Sequence, residues 1–399
     1  MFVHKSFNIL IYILVSLSLL TLSKYSFALE YKSYGYIQPE FSYFLDGKGK
    51  HNQSEDKPSI FSQGTFITYA QDDAAKITIN AIGRYDDKDN NRTYFDFQKF
   101  KYEYFLDDAT ISIGNDIVFW GVNESFHVVD IINQSNIAEN LAGTKKLGQP
   151  MLAISLYKEI GDINLYIMPY FRERIFPGNK GRPRYAAEID KDSVTFESSE
   201  KEKRIDLAIR FSKVIDDFDI GISHFRGNAR DPELNVDQST LQLNPYYPIL
   251  SQTSIDIQAT KESWLYKLEA LTGKIESENH VRAAGGFEYT FYGINDTSQD
   301  LGIVTEYLFD DRNSNPFNNE TALAVRWTKN DINSTALLAG AYLDLRGDSN
   351  RFFCEYEKRL KDDLKLFLDA SLNGHIDRND FTYAFKDDSN LTIKIAKYF

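Results

Sequence analysis

Asn390–Phe399 reads N-L-T-I-K-I-A-K-Y-F, and this stretch decides the fold. Apolar residues alternate in it with polar or small ones: Leu391, Ile393 and Ile395 against Thr392, Lys394 and Ala396. A period of two places the two sets on opposite faces of a β-strand. Ten residues at about 3.3 Å each, tilted by about 45°, rise roughly 23 Å, the height of the apolar band of a transmembrane barrel. The stretch therefore predicts a membrane-spanning strand.

The same alternation recurs along the chain, and its polar rows carry charges. A packed protein core would not tolerate these charges, so the polar rows are expected to face a water-filled lumen. The residues predicted to face the lumen are Arg204, Asp206, Arg210, Asp256, Lys365, Asp369 and Lys394.

Short turns alternate with longer polar connections. Asp107-Asp108 and Asp216-Asp217 are examples of the turns, and both use a residue type that tolerates strand reversal. Short turns on one rim and long loops on the other are typical of an outer-membrane barrel. We predict an all-β fold: one antiparallel transmembrane β-barrel over residues 29–399 with about 18 strands, or about 16. A soluble sandwich of this length would usually split into domains, and no linker marks a boundary.

The first 28 residues are predicted to be a secretory signal peptide. Lys5 gives a positive start, Phe7–Leu22 is apolar, and Ser26-Phe27-Ala28 is a small-x-small cleavage pattern. The apolar run is shorter than the roughly 20 residues that a spanning helix needs. Export together with barrel strands predicts that the protein lies in a bacterial outer membrane.

The terminal strand, which ends on Phe399, resembles the closing strand of Gram-negative outer-membrane β-barrels. The resemblance implies that the outer-membrane assembly machinery reads this ending. It also implies that outer-membrane lipid and lipopolysaccharide are the surroundings of the barrel.

Trp120–Pro150 breaks the alternation. Asn136 and Glu139 form a start similar to a capping box, and Gly143 is a suitable stop. This spacing predicts a short helix over 137–142. The segment also contains apolar residues that need burial: Val128, Val129, Ile131, Ile132, Ile137 and Leu141. Folding inward against the barrel wall would bury them, whereas the alternative is a segment that caps one rim.

The run W-G-V-N-E-S, followed by V-V-D-I-I-N, resembles a segment of porin-like outer-membrane proteins of proteobacteria. The matching positions are Trp120, Gly121, Glu124, Ser125, Asp130, Ile132 and Asn133. Gln134 stands where those proteins have proline. The resemblance implies a barrel with an internal loop and does not imply a particular cargo.

Arg172–Arg184 is a basic stretch in a chain of net charge −13. Cations that face the acids of Trp120–Pro150 would set up a transverse field, because low-dielectric walls focus one-sided charge. The two segments together predict a pore constriction made of Trp120, Glu124, His127, Asp130, Asn133, Arg172, Arg174, Lys180, Arg182 and Arg184. The alternative is that the cations bind lipopolysaccharide phosphates at the outer rim.

The leading hypothesis is a porin-like channel for passive or facilitated diffusion of small solutes. One alternative is a surface-exposed binding or structural barrel, an adhesin or a scaffold in contact with lipopolysaccharide, acting through Arg172–Lys203 and Gly227–Ser251. A barrel enzyme is the third possibility, with Glu124, His127 and Asp130 as its acid/base candidates. The sequence has no H-E-x-x-H or G-x-S-x-G motif and one cysteine, so we expect no enzyme activity, metal or cofactor. Export and an acidic net charge argue against nucleic acid as a partner.

Overall fold

The computed structural model describes residues 30–49, 53–69, 74–312, 319–378 and 380–399. The predicted signal peptide, residues 1–28, lies outside the described residues. Within the described ranges, no helix is long and apolar enough to cross a membrane.

The described residues form 21 strands in chain order. These are β1 (Tyr31–Phe44), β2 (Asp56–Tyr69), β3 (Ala75–Asp86), β4 (Tyr94–Leu106), β5 (Ala109–Asp116), β6 (Gln149–Lys158), β7 (Gly161–Met168), β8 (Thr195–Phe196), β9 (Asp206–Ile215), β10 (Phe218–Asn228), β11 (Glu233–Val236), β12 (Leu243–Tyr247), β13 (Ile249–Lys261), β14 (Trp264–Ile275), β15 (Glu278–Phe291), β16 (Asp300–Asp310), β17 (Glu320–Thr328), β18 (Ala336–Asp344), β19 (Asn350–Lys361), β20 (Leu364–Asn373) and β21 (Asn390–Tyr398). Eighteen of them form one antiparallel sheet, and β8, β11 and β12 form a separate small sheet.

The large sheet closes on itself between its first and last strands. β21 pairs with β1, so that Leu391 lies opposite Tyr43 and Ile393 opposite Phe41. Gly35 and Phe399 exchange two backbone hydrogen bonds of 3.0 Å. A closed sheet leaves no edge strand with unpaired backbone groups, as lipid requires. The prediction of an all-β barrel of 18 strands is confirmed.

The two faces of the wall differ as the alternation predicts. On β21, Leu391 and Ile393 are 47% and 42% exposed, whereas Ala396 on the opposite row is completely buried. We call the row that contains Leu391 outward and the other inner. On β14 the outward row includes Tyr266 and Leu268, and the inner row includes Glu269. Apolar side chains on the outward rows suit contact with lipid.

The two rims also differ. The connections 107–108, 159–160, 216–217, 262–263 and 362–363 are short and lie on the rim that carries both described chain ends, which we call the short-turn rim. The connections 117–148, 169–205, 229–248 and 374–389 lie on the opposite rim, the loop rim. Within the last of these, Phe381–Phe385 is a 3-10 helix. The Asp380 side chain accepts a hydrogen bond from the Thr382 backbone N–H at 2.7 Å and starts the helical turn there.

Candidate functional site

The segment Trp120–Pro150, here called the inner segment, is held by a buried carboxylate of β14. Glu269 accepts hydrogen bonds from the backbone N–H groups of Val122 (2.8 Å) and Asn123 (3.0 Å). It accepts a third from Val129 at 3.2 Å. Glu269 is 0% exposed, so these N–H groups replace the water that a carboxylate would otherwise bind.

A second buried carboxylate holds the next two residues of the inner segment. Glu306 on β16 accepts hydrogen bonds from the backbone N–H groups of Glu124 (2.6 Å) and Ser125 (2.7 Å). Between the two carboxylates, the Asn123 side chain donates to the Ala284 carbonyl of β15 at 3.0 Å. Residues 122–125 are therefore bonded to three adjacent strands of the wall.

The other end of the inner segment is bonded to strands on another part of the wall. The Glu139 carboxylate lies 2.8 Å from Arg84 Nε of β3 and accepts a hydrogen bond of 2.8 Å from the Tyr94 hydroxyl of β4. Arg84 and Arg92 also pair with Glu40 of β1 at 3.3 Å and 2.6 Å. Oppositely charged partners compensate the burial of these charges. The inner segment is thus bonded both to β14–β16 and to β3–β4.

Apolar side chains of the inner segment are buried between its two ends. The buried members are Trp120, Phe126, Val128, Val129, Ile131, Ile132, Ile137, Ala138 and Leu147, whereas Leu141 is half-buried. Trp120 packs edge-to-face on Tyr166 of β7 with 5.9 Å between ring centroids, and the Arg210 guanidinium lies 5.5 Å from the Trp120 ring centroid. Phe126 contacts Tyr342 of β18 in the same geometry. The apolar residues of the segment are therefore covered by wall side chains, in line with their expected need for burial.

The short helix predicted over 137–142 is wrong, because these residues form turns. The backbone N–H groups of Ile137 and Ala138 donate to the Ile175 carbonyl at 3.0 Å and 3.2 Å. Ser135 pairs with Lys146 across the turns. Glu139 and Gly143 close two separate turns, because their backbone N–H groups donate to the carbonyls three residues earlier, Asn136 at 3.3 Å and Asn140 at 3.1 Å.

Each predicted acid of the constriction is engaged by a cation. Glu124 pairs with Arg326 of β17 at 2.9 Å, and their side chains are 38% and 33% exposed. Asp130 pairs with Lys146 at 2.9 Å. Asn133 accepts a hydrogen bond from the Val118 backbone N–H at 2.8 Å and so fixes the start of the segment.

His127 lies beside the aromatic ring of Phe119, with 5.1 Å between ring centroids. Burial lowers the pKa of His127, and the neighbouring Asp130 carboxylate opposes this only in part. Among the described residues, no hydrogen bond or ion pair joins Glu124, His127 and Asp130 to one another. The arrangement therefore gives no acid/base relay among these three residues.

Only part of the basic stretch contacts the inner segment. Arg172 donates to the Gly148 carbonyl at 2.9 Å and pairs with Asp96 at 3.0 Å. Arg174 donates to the Gln134 side chain at 3.2 Å and pairs with Asp231 at 2.6 Å.

Arg182 lies at the loop rim, where it joins three connections. It is 3% exposed, pairs with Asp388 at 2.7 Å, and donates to the carbonyls of Gly47 (2.6 Å) and Ser54 (3.1 Å). Its guanidinium lies 4.1 Å from the ring centroid of Phe44.

The other two cations of the stretch lie beside Arg182. Lys180 is exposed, and Arg184 lines a small cavity with Gln53 and Tyr185. In the described part of the chain, no hydrogen bond or ion pair connects Lys180, Arg182 or Arg184 with the inner segment. A role for these three cations in a constriction stays a prediction.

The charges predicted to face the lumen form ion pairs, most of them between neighbouring strands. Arg210 binds Asp256 through two hydrogen bonds of 2.6 Å and 2.7 Å. Asp206 pairs with Arg204 (2.9 Å) and Arg230 (2.7 Å). Lys365 pairs with Glu357 at 2.9 Å, and Lys394 pairs with Asp369. Their role as lining of a conduction path stays a prediction.

Sequence reasoning missed Glu269, Glu306 and Arg326, the wall residues that hold residues 122–125. All three lie on inner rows. The only sequence signal is their place in the alternation. The alternation predicts on which face of the wall these residues lie, but it does not predict which residues they bond to.

Trp120 provides a test of the packing of the inner segment. Trp120→Ala should lower the free energy of unfolding by about 3 to 5 kcal/mol, because it removes a buried aromatic side chain and leaves a cavity. Guanidinium unfolding of the refolded protein in detergent measures this loss. Trp264→Ala is the matched control, since Trp264 is 36% exposed on the outward row. Equal losses for the two variants would contradict tight packing of Trp120.

Metal binding has no structural support in the described ranges, where no group of three or more His, Cys, Asp or Glu residues could hold a metal ion.

Neither a protein-family profile nor a curated protein sequence matches the chain. Solved structures that are similar to it include an engineered protein studied for asymmetric conductivity, with a TM-score of 0.45 and 11% identity. They also include a triple mutant of the porin from Rhodopseudomonas blastica, with a TM-score of 0.45 and 11% identity. Each alignment covers 93% of this chain and 100% of the other. Likeness this distant assigns neither a family nor a function to the chain.

Proposed function

We propose that the chain is a porin-like outer-membrane channel for diffusion of small polar solutes, narrowed by the inner segment. The observation that carries this proposal is the ion pair between Glu124 of the inner segment and Arg326 of the wall. Both side chains stay about one-third exposed although Glu269 and Glu306 nearby are fully buried. Accessible charges beside buried ones indicate a water-filled path past the segment.

The width of the barrel and the chemistry of its inner rows support the same proposal. Barrels of about 16 to 18 strands leave an aqueous channel unless something fills them. The inner-row charges pair with one another, as in Arg210 with Asp256 and Lys394 with Asp369. Paired charges give a polar path without a strong excess of one sign, which suits small polar solutes. The proposal contains no catalytic step and no cofactor.

Conductance in planar bilayers tests the proposal. Refolded full-length protein should give stepwise current increments, because water and ions would pass beside the inner segment. Heat-dependent migration on a gel confirms that the barrel is folded in the same sample. A folded barrel with neither conductance nor flux of small sugars into liposomes would contradict the proposal.

The second candidate is a surface-exposed binding barrel. The regular structure formed by the connections at the loop rim favours this candidate. β8, β11 and β12 form a small sheet, and Tyr247 of this sheet packs on Phe171 at 4.9 Å between ring centroids. Replacing residues 229–248 with a short flexible linker distinguishes the candidates. A channel keeps solute flux after this change, whereas a binding barrel loses its partner.

A further inference from the structure

A patch of polar side chains lies on the outward face of the wall near the loop rim. Arg226 of β10 is opposite Ser251 of β13, which is opposite Lys274 of β14. One step nearer the short-turn rim, the same three strands carry His224, Thr253 and Thr272. We call these six residues the outer cationic patch. All of them are exposed except Ser251, which is half-buried.

The side chains of the two long cations, Arg226 and Lys274, stand apart from the ion pairs of the wall. Among the described residues, neither side chain makes a hydrogen bond or ion pair. Outward lysines at the short-turn rim behave differently, since Lys158 pairs with Asp108 and Lys397 pairs with Asp363. An unpaired arginine on the outward row of a membrane wall is costly unless it meets a polar partner, and the cost falls near the interface.

The patch lies at the edge of the apolar band. The next outward residues toward the short-turn rim are Ile222, Ile255 and Ala270, which are apolar. No Asp or Glu lies on the outward rows of β10, β13, β14 or β15. Glu276, in the turn after β14, accepts a hydrogen bond from the Tyr246 hydroxyl at 2.7 Å and is engaged there. The patch therefore presents positive charge at the depth where lipid headgroups begin.

The spacing of the two cations suits one phosphate group. Arg226 and Lys274 are two strand spacings apart, so their Cα atoms lie about 10 Å from each other. Their side chains are long enough to converge on one group above Ser251. A guanidinium binds phosphate oxygens through two parallel hydrogen bonds, and an ammonium adds a compact charge.

We propose that the outer cationic patch binds the phosphate of a lipid headgroup in the leaflet on the loop side. Arg226 and Lys274 contact the phosphate oxygens, and the Ser251 hydroxyl adds a hydrogen bond, whereas the Thr253 hydroxyl is engaged by His224 Nδ1 at 2.9 Å. The acyl chains of the lipid then lie along Ile222 and Ile255. This proposal rests on the barrel spanning a membrane and does not depend on conduction.

Native mass spectrometry of the refolded full-length protein in detergent tests the proposal. The probes are bisphosphorylated lipid A and the same lipid with both phosphates removed. The double variant Arg226→Gln/Lys274→Gln should bind the phosphorylated lipid about tenfold or more weakly, because both charge-assisted contacts are lost. The wild type should bind the dephosphorylated lipid as weakly as the double variant binds the phosphorylated lipid. Equal affinity of wild type and double variant for the phosphorylated lipid would overturn the proposal.

Four controls keep the test decisive. Lys213→Gln/Lys261→Gln removes two outward lysines at the short-turn rim and should leave the affinity unchanged; an equal loss there would overturn the assignment to this patch. If the double variant does not fold, Arg226→Lys takes its place in the test. This variant keeps the charge and should retain part of the binding. Inorganic phosphate in excess should not displace the lipid, and full displacement would overturn the lipid assignment in favour of a free anion. Channel conductance of the double variant should equal that of the wild type.

Discussion

Replacing Glu269 and Glu306 with glutamine should release the inner segment and raise the single-channel conductance. The two carboxylates accept five backbone hydrogen bonds, three at Glu269 and two at Glu306. A glutamine keeps one acceptor oxygen but turns an NH2 group toward N–H donors. Each buried donor left without an acceptor costs about 1 to 3 kcal/mol, so several such losses should undock residues 122–129. We expect the conductance in planar bilayers to rise about twofold or more, because a barrel of this strand number is wide once it is empty.

Glu355→Gln is the matched control for this experiment. Glu355 lies on the inner row of β19 opposite Asp369 and makes no hydrogen bond with the inner segment. The control removes one negative charge from the interior, half the change made by the double variant, without touching the backbone of the segment. It therefore separates an effect of charge from an effect of docking. If the double variant and the control gave the same conductance, the inner segment would not obstruct the conduction path.

Replacing Arg182 with alanine should open the loop rim. Asp388 would lose its guanidinium partner, and the carbonyls of Gly47 and Ser54 would lose their donor. Removing one partner of a buried ion pair costs about 3 to 5 kcal/mol. Local opening of the 169–205 connection should become easier by a similar amount, so proteinase K should cleave it at least about tenfold faster. Mass spectrometry of the fragments measures both the rate and the position of cleavage.

Lys180→Ala controls for the loss of a cation from the same connection. Lys180 is exposed, whereas Arg182 is buried. The cleavage rate of this variant should equal that of the wild type. Arg182→Lys should resemble Arg182→Ala, because an ammonium cannot supply the planar set of donors that reaches the carboxylate and carbonyls together. Full protection of the Arg182→Ala variant would contradict a structural role for this residue.

The architecture of the wall could be predicted from the sequence because a local rule governs it. A strand with an apolar outward face and a polar inner face must alternate, and the alternation of Asn390–Phe399 shows this within ten residues. Counting such runs requires no long-range information and gives about 18 strands, with about 16 as the alternative, and the structure has 18. The pairing of the last strand with the first follows from closure.

The bonds of the inner segment could not be predicted, because they depend on distant pairs. Val122 and Glu269 are separated by 147 positions, and Arg182 and Asp388 by 206. An acid on an inner row has the same local pattern whether it pairs with a neighbouring strand or accepts backbone N–H groups. The helix predicted over 137–142 is wrong because the capping signals are local, whereas the backbone of Ile137 and Ala138 bonds to the Ile175 carbonyl of another connection. Local propensity is a weak guide where such contacts compete with it.

The sequence separation between the inner segment and its acceptors has a consequence for folding. The backbone N–H groups of residues 122–125 bond to acceptors on β14 and β16, which lie 146 to 182 positions later in the chain. Burial of Val128, Val129 and Ile132 therefore depends on strands from the second half of the chain, such as those that carry Leu271 and Leu308. Contacts of such long sequence separation form slowly, so we expect the inner segment to be among the last parts of the barrel to order.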